Sequence, residues 1–186
     1  MYYFMKKQLR LFIIVFFIVS LSSTAYAEKR KSWLTNTGDK TTGKIAAGAR
    51  LHFDYAEFDR IPIQEDDYSY LLFYEIHNEF AYWQIGGAFT PGPEDNRFDH
   101  IITPQLNLIA KDSIYRLGVG ALISNVKMND DSDWTRVYWQ GIFGIGIPIG
   151  RFGIDLYGHY VFESWNKPGE PASEAPEVSL LVNFSF

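Results

Sequence analysis

The sequence predicts an all-β fold: an eight-stranded antiparallel transmembrane β-barrel with short periplasmic turns and longer outer loops. Three observations carry that prediction. Eight segments alternate apolar and non-apolar positions with period two, each over the roughly ten residues that a tilted strand needs to cross a bilayer. The connections between segments alternate strictly between short and long. Aromatic residues of the apolar face gather at the segment ends, where the two membrane interfaces would lie.

Composition excludes the main rivals. The chain has 186 residues, 47% hydrophobic, 17% aromatic and 21% charged, and no Cys. That length suits one domain, and the apolar content is too high for a disordered chain. Without Cys there is no disulfide, thiolate metal site or cysteine nucleophile. A formal charge of -5 opposes nucleic-acid binding, which asks for a basic face. A mean hydropathy of -0.13 excludes a bundle of membrane helices, and no apolar run of 18 residues occurs beyond Ala27.

Residues 1–27 read as a cleaved signal peptide. Lys6, Lys7 and Arg10 form the positive region, Leu11 to Leu21 the apolar one, and Ala25-Tyr26-Ala27 the small-residue cleavage site. The chain beyond Ala27 carries 14 Lys+Arg against 22 Asp+Glu, a net charge of -8. Residues 28–42 are expected to be a polar periplasmic segment, with Trp33-Leu34 as its apolar pair, and residues 43–186 the barrel.

The segments come in order. Ile45, Ala47, Ala49, Leu51, Phe53 and Tyr55 form the first apolar face, and Tyr68, Tyr70, Leu72, Tyr74 and Ile76 the second. Trp83, Ile85, Gly87 and Phe89 form the third, then Ile102, Pro104, Leu106, Leu108 and Ala110 the fourth. The second half continues with Tyr115 to Ile123, Val137 to Ile147, Phe152 to Phe162 and Val178 to Phe186, each read at alternate positions. Tight turns are expected near His77-Asn78-Glu79, Lys111-Asp112-Ser113 and Ile149-Gly150, and long loops at 59–67, 90–99, 125–134 and 163–176. The apolar face, with Tyr55, Tyr68, Tyr70, Phe89, Trp139, Tyr160 and Phe162 at its loop end and Trp83, Tyr115, Phe152, Phe184 and Phe186 at its turn end, is assigned outward.

The opposite face lines the lumen and contains Arg50, His52, Asp54, Glu75, His77, Arg116, Asp155 and His159. Pairing of the first two strands through the 59–67 loop is expected to bring Arg50 diagonally near Glu75, read as lumen charges that must be paired rather than as a polar relay or gate. Phe73, Leu122, Tyr138, Ile142 and Tyr157 are bulky lumen residues that oppose a channel. The loops and their edges carry fourteen acidic and four basic residues. Asn129, Asp131 and Asp133 alternate like the start of a calcium loop, yet Trp134 occupies the place of the sharp-turn Gly and no bidentate Glu follows at the right spacing, so a solvated loop or loose divalent-ion bridging is expected instead. No cofactor or metal is expected: GIGIPIG at 144–150 lacks the Lys and helix of a phosphate loop, and no metal-ligand cluster occurs.

In plan the chain resembles small eight-stranded outer-membrane barrels of the OmpX type, and its terminal Phe186 resembles the ending that the bacterial barrel-assembly machinery reads. That resemblance implies residence in the bacterial outer membrane as a monomer among its lipids, including lipopolysaccharide, with an envelope-structural or surface-interaction role. More distantly, the stretch from Arg116 through RVYWQGIFGIGIPIGRFGIDLYGHYVFESW to the final strand resembles the outer-membrane lipid A deacylases. Those enzymes carry His-x-Ser-Asn on the seventh strand and an acidic residue near the eighth. The resemblance implies His159 as base and Glu174 or Glu177 as acid, but Val161 stands where the family has its Ser and Phe162 where it has Asn. Ser164 falls on the opposite face from His159, whereas a simple register sets His159 near Ser179, both inward. His159, Ser179 and Glu177 are therefore the alternative catalytic set, and a lumenal His159 hydrogen-bonded to Ser179 or Asp155 the non-catalytic reading. The sequence leans to a non-enzyme.

Overall fold

The computed structural model describes residues 42–53, 63, 67–93, 98–128, 131–166 and 177–186. The expected signal peptide, the segment before Thr42, Asp54, Tyr55, Asn129 and Glu174 lie outside these residues. Within them the chain forms ten strands: β1 Thr42–Leu51, β2 Tyr68–His77, β3 Ala81–Pro91, β4 His100–Asp112, β5 Tyr115–Leu122, β6 Asn125–Met128, β7 Asp131–Trp134, β8 Tyr138–Ile149, β9 Phe152–Phe162 and β10 Glu177–Ser185.

All pairings are antiparallel. The order β1-β2-β3-β4-β5-β8-β9-β10 returns to β1, through register pairs running from Lys44 opposite Ser185 to Leu51 opposite Val178. This is a closed barrel of eight staves. Closure leaves no free edge, so every stave pairs on both sides. Thr42, expected just before the barrel, is already paired with His77.

The alternation read from the sequence is the alternation of burial. Along β2, Ser69, Leu71, Phe73, Glu75 and His77 are buried while Tyr68, Tyr70, Leu72 and Tyr74 are exposed. Along β4, Ile101, Thr103, Gln105, Asn107 and Ile109 are buried between exposed neighbours. Phe162 departs from this. It has outward parity but is only 4% exposed, because Trp165 packs edge-on over its ring at 5.0 Å.

Three short turns close one end. Asn78 accepts hydrogen bonds from Phe80 N and Ala81 N at 3.1 and 2.8 Å, holding the β2–β3 turn. Ser113 and Gly150 take φ of 52° and 64° in the two-residue turns after β4 and β8, the left-handed geometry that tight hairpins require.

At the other end the expected loop 125–134 is corrected to a β-hairpin. β6 pairs with β4 in the same register as β5 does, so it extends that stave. β7 pairs with β6, and residues 135–137 bulge before β8 resumes. The local pattern 125–134 lacks apolar alternation because, of β6 and β7, only Val126 is buried and every residue of β7 is exposed.

Apolar lumen residues form two clusters. Ala46, Leu71, Phe73, Tyr82, Ile109, Ile142, Tyr157 and Leu181 belong to the mid-barrel one, while Ile63, Phe98, Ile101, Leu122, Val126, Tyr138 and Val161 form another at the loop end. All five bulky residues expected in the lumen are buried there. An eight-strand interior has room for side chains and little more. Lumen glycines make the polar residues fit: a Cβ on Gly146 would collide with Asp155 Oδ1 and the Arg116 guanidinium.

Candidate functional site

Most inward polar residues are joined by hydrogen bonds into a network that runs from the loop end toward the turn end. It starts at the end of β1, where Arg50 and His52, the latter one residue beyond the strand, are two residues apart and point to one side. The closing register sets Leu51 opposite Val178, which carries His52 to Glu177 one step further along. Glu177 Oε1 accepts from His52 Nδ1 at 2.8 Å and Oε2 accepts from Arg50 Nη1 at 3.1 Å. Across the β1–β2 pairing, Ser69 faces Arg50, and its Oγ lies diagonally 2.8 Å from His52 Nε2. Ser69 Oγ is in turn 2.7 Å from Thr90 Oγ1 on β3.

The proton positions are set by what each group can do. An ionised carboxylate only accepts, so His52 Nδ1 carries a hydrogen, and a neutral ring then turns the lone pair of Nε2 to the Ser69 hydroxyl. The order is hydroxyl, imidazole, carboxylate.

A second serine–histidine pair lies beside it. His159 Nε2 is 2.7 Å from Ser179 Oγ, and its Nδ1 is 3.1 Å from Gln140 Oε1. Gln140 Nε2 donates to Asn107 Oδ1 at 2.7 Å and to Gln105 Oε1 at 3.2 Å, so the amide oxygen is left to accept from His159 Nδ1. This array ends in a neutral amide. Arg50 Nη2 donates to Gln105 Oε1 at 3.2 Å and joins the two arrays.

The network continues to the turn end. Asn107 Nδ2 donates to Gln84 Oε1, Gln84 Nε2 to Glu75 Oε1 at 2.8 Å, and His77 Nε2 to Glu75 Oε2 at 2.6 Å. His77 stacks on Tyr82 at 4.3 Å, and Tyr82 OH meets Tyr157 OH at 2.6 Å. Asp155 takes Arg116 Nε at 3.5 Å and the Asn183 amide. Pairing of this kind is what lets charges stay in a water-poor interior, since an unpaired one costs several kcal/mol, on the order of 3–5 when its partner is removed.

At the loop end a cavity of about 20 Å³ lies between Arg50, His52, Ser69, Thr90, Gln105 and Glu177 on its polar side and Ile63, Leu122 and Val161 on its apolar side. Arg50 and Gln105 are 3% and 4% exposed. Among the described residues, Arg50 Nε and Gln105 Nε2 are buried donors without an acceptor.

These contacts revise the sequence expectations residue by residue. Arg50 pairs with Glu177, and Glu75 with His77 and Gln84, so the expected Arg50–Glu75 pair does not form. The reason is register: Glu75 sits opposite Lys44, six residues from Arg50 on β1. His159 and Ser179 meet although their Cα partners are Glu177 and Tyr157. Glu177 gives both oxygens to His52 and Arg50, and Asp155 lies with Arg116 and Asn183, so neither carboxylate bonds to His159. Ser69 escapes a reading of the sequence because nothing local marks it. Asp131 and Asp133 stand on β7, paired opposite Met128 and Val126, in extended strand rather than in a loop.

No family model matches this chain, and no curated relative matches it. Among solved structures, the crystal structure of Neisserial surface protein A is similar at 12% sequence identity and a TM-score of 0.48, over 78% of this chain and 96% of that one.

Proposed function

We propose that this chain is an integral protein of the bacterial outer membrane, present as a monomer, with its short turns in the periplasm and its long connections outside. Its role there is envelope structure or surface interaction through those connections. One observation carries the reading. Every barrel stave exposes large apolar side chains outward, among them Ile45, Leu72, Ile85, Leu106, Val119, Ile145, Ile154 and Val182. Water-soluble proteins rarely expose apolar patches beyond a few hundred Å², and such a girdle matches the hydrocarbon of a bilayer. Exposed Trp83, Tyr115, Phe152 and Phe184 lie at the turn end and Tyr68, Tyr70 and Phe89 at the loop end, where interface aromatics belong. Lipids of that membrane, lipopolysaccharide included, are the partners of this surface, and the barrel-assembly machinery its route of insertion.

The test is fractionation and gel mobility of the protein processed after Ala27. It should sediment with outer membranes and migrate faster unheated than boiled. Recovery as a soluble periplasmic protein would overturn the reading. The filled lumen further predicts planar-bilayer recordings without stepwise conductance.

A further inference from the structure

We propose that Ser69, His52 and Glu177 are a nucleophile, base and positioning acid that transfer the acyl group of small carboxylic esters to water, inside the loop end of the barrel. The inference goes beyond membrane residence and uses a different histidine from the one the sequence singles out.

Two independent observations support it. The first is the order and length of the contacts, Ser69 Oγ to His52 Nε2 and His52 Nδ1 to Glu177 Oε1, both 2.8 Å. The carboxylate fixes the tautomer that leaves Nε2 able to take the serine proton, and it stabilises the imidazolium that results. The neighbouring Ser179–His159–Gln140 array has the same contacts but ends in a neutral amide, which provides no such charge. The second is the pair of orphan donors. Each buried unpaired donor costs roughly 1–3 kcal/mol, a cost that an acceptor entering the cavity would relieve. Arg50 and Gln105, which carry these donors, line the same small cavity as Ser69. A carbonyl oxygen placed there receives both, and receives them more strongly as it becomes an oxyanion.

The cavity sets the substrate class. Its volume of about 20 Å³ takes one oxygen-sized group, the carbonyl oxygen, and its remaining wall, Ile63, Ala88, Leu122 and Val161 beside the hydroxyls of Thr103 and Ser124, carries no charge and favours a slim, uncharged acyl chain. In the reaction, Ser69 Oγ bonds to the carbonyl carbon while its proton passes to His52 Nε2. The ester C–O bond then breaks and that proton leaves with the alcohol. Water repeats the sequence on the acyl-serine, freeing the carboxylic acid and restoring the Ser69 hydroxyl.

The test treats the refolded full barrel with a small dialkyl fluorophosphonate, whose phosphorus is attacked as the ester carbon would be, with loss of fluoride. Intact mass and peptide mapping should find one adduct, on Ser69, absent from Ser69→Ala. Labelling should slow by about 100-fold or more in His52→Ala. Glu177→Asp, which keeps the charge, should restore a measurable part of the rate lost in Glu177→Gln. Protein whose unheated band runs fast yet carries no adduct, or carries it on Ser179 or another residue, overturns the assignment. An adduct on Ser69 in protein without heat-dependent mobility upholds the array and defeats the membrane reading instead.

Discussion

Glu177 shows how much one residue can hold in a packed lumen. Its two oxygens neutralise Arg50 and orient His52, and all three side chains are buried. Removing the carboxylate would leave a guanidinium alone in a low-dielectric interior. Glu177→Leu is therefore expected to destabilise the barrel by about 3–5 kcal/mol in urea unfolding from lipid vesicles. Glu163 makes an ion pair of similar length with Arg136, at 3.0 Å, but both side chains are about half exposed. Water already solvates those charges, so Glu163→Ala should change stability by less than about 1 kcal/mol. Equal losses from both substitutions would show that the lumen is hydrated.

Among the elements, the β6–β7 hairpin and the barrel staves answer to different forces. A barrel stave pairs along its length on both sides and buries alternate side chains. β6 pairs with β7 and with only His100, Ile101 and Ile102 of β4, and of the four residues of β7 none is buried. Val126 is the exception that reaches inward, joining Ile63, Phe98 and Tyr138 over the lumen. Replacing residues 127–133 by a short turn should thus preserve the closed barrel and its heat-dependent gel mobility. Loss of that mobility would mean that the hairpin takes part in closure rather than extending two finished staves.

For the whole molecule, the usual arrangement of a soluble protein is inverted. Polar and charged groups are gathered inside beside the two apolar clusters, and the outward face of the wall is largely apolar. This is stable only where the outer solvent is hydrocarbon, because the exposed girdle gains nothing in water. Leu106, outward on β4 between Gln105 and Asn107, is a mid-wall position of that girdle. Leu106→Arg is expected to cost about 2–4 kcal/mol for the barrel refolded in vesicles. A silent Leu106→Arg would place that face in water.

The sequence by itself determined the staves, their faces and the two kinds of connection. Period-two alternation is a local property of the backbone, so residues such as Leu72 and Phe73 declare their sides without reference to any partner. It also named most of the lumenal charges, including Arg50, His52, Glu75, Asp155 and His159. Which of them meet was decided only by the tertiary structure. The sequence matches Arg50 with the wrong carboxylate, and Glu177 with the wrong histidine, because their partners are set by the closing register between β1 and β10, at a sequence separation of 125 for His52 and Glu177. Hairpin registers are fixed by short turns that the sequence displays, whereas the closing seam has no turn and is fixed by the shear of the whole barrel. Ser69, Thr90 and the Arg50 and Gln105 donors acquire meaning only once that seam is closed.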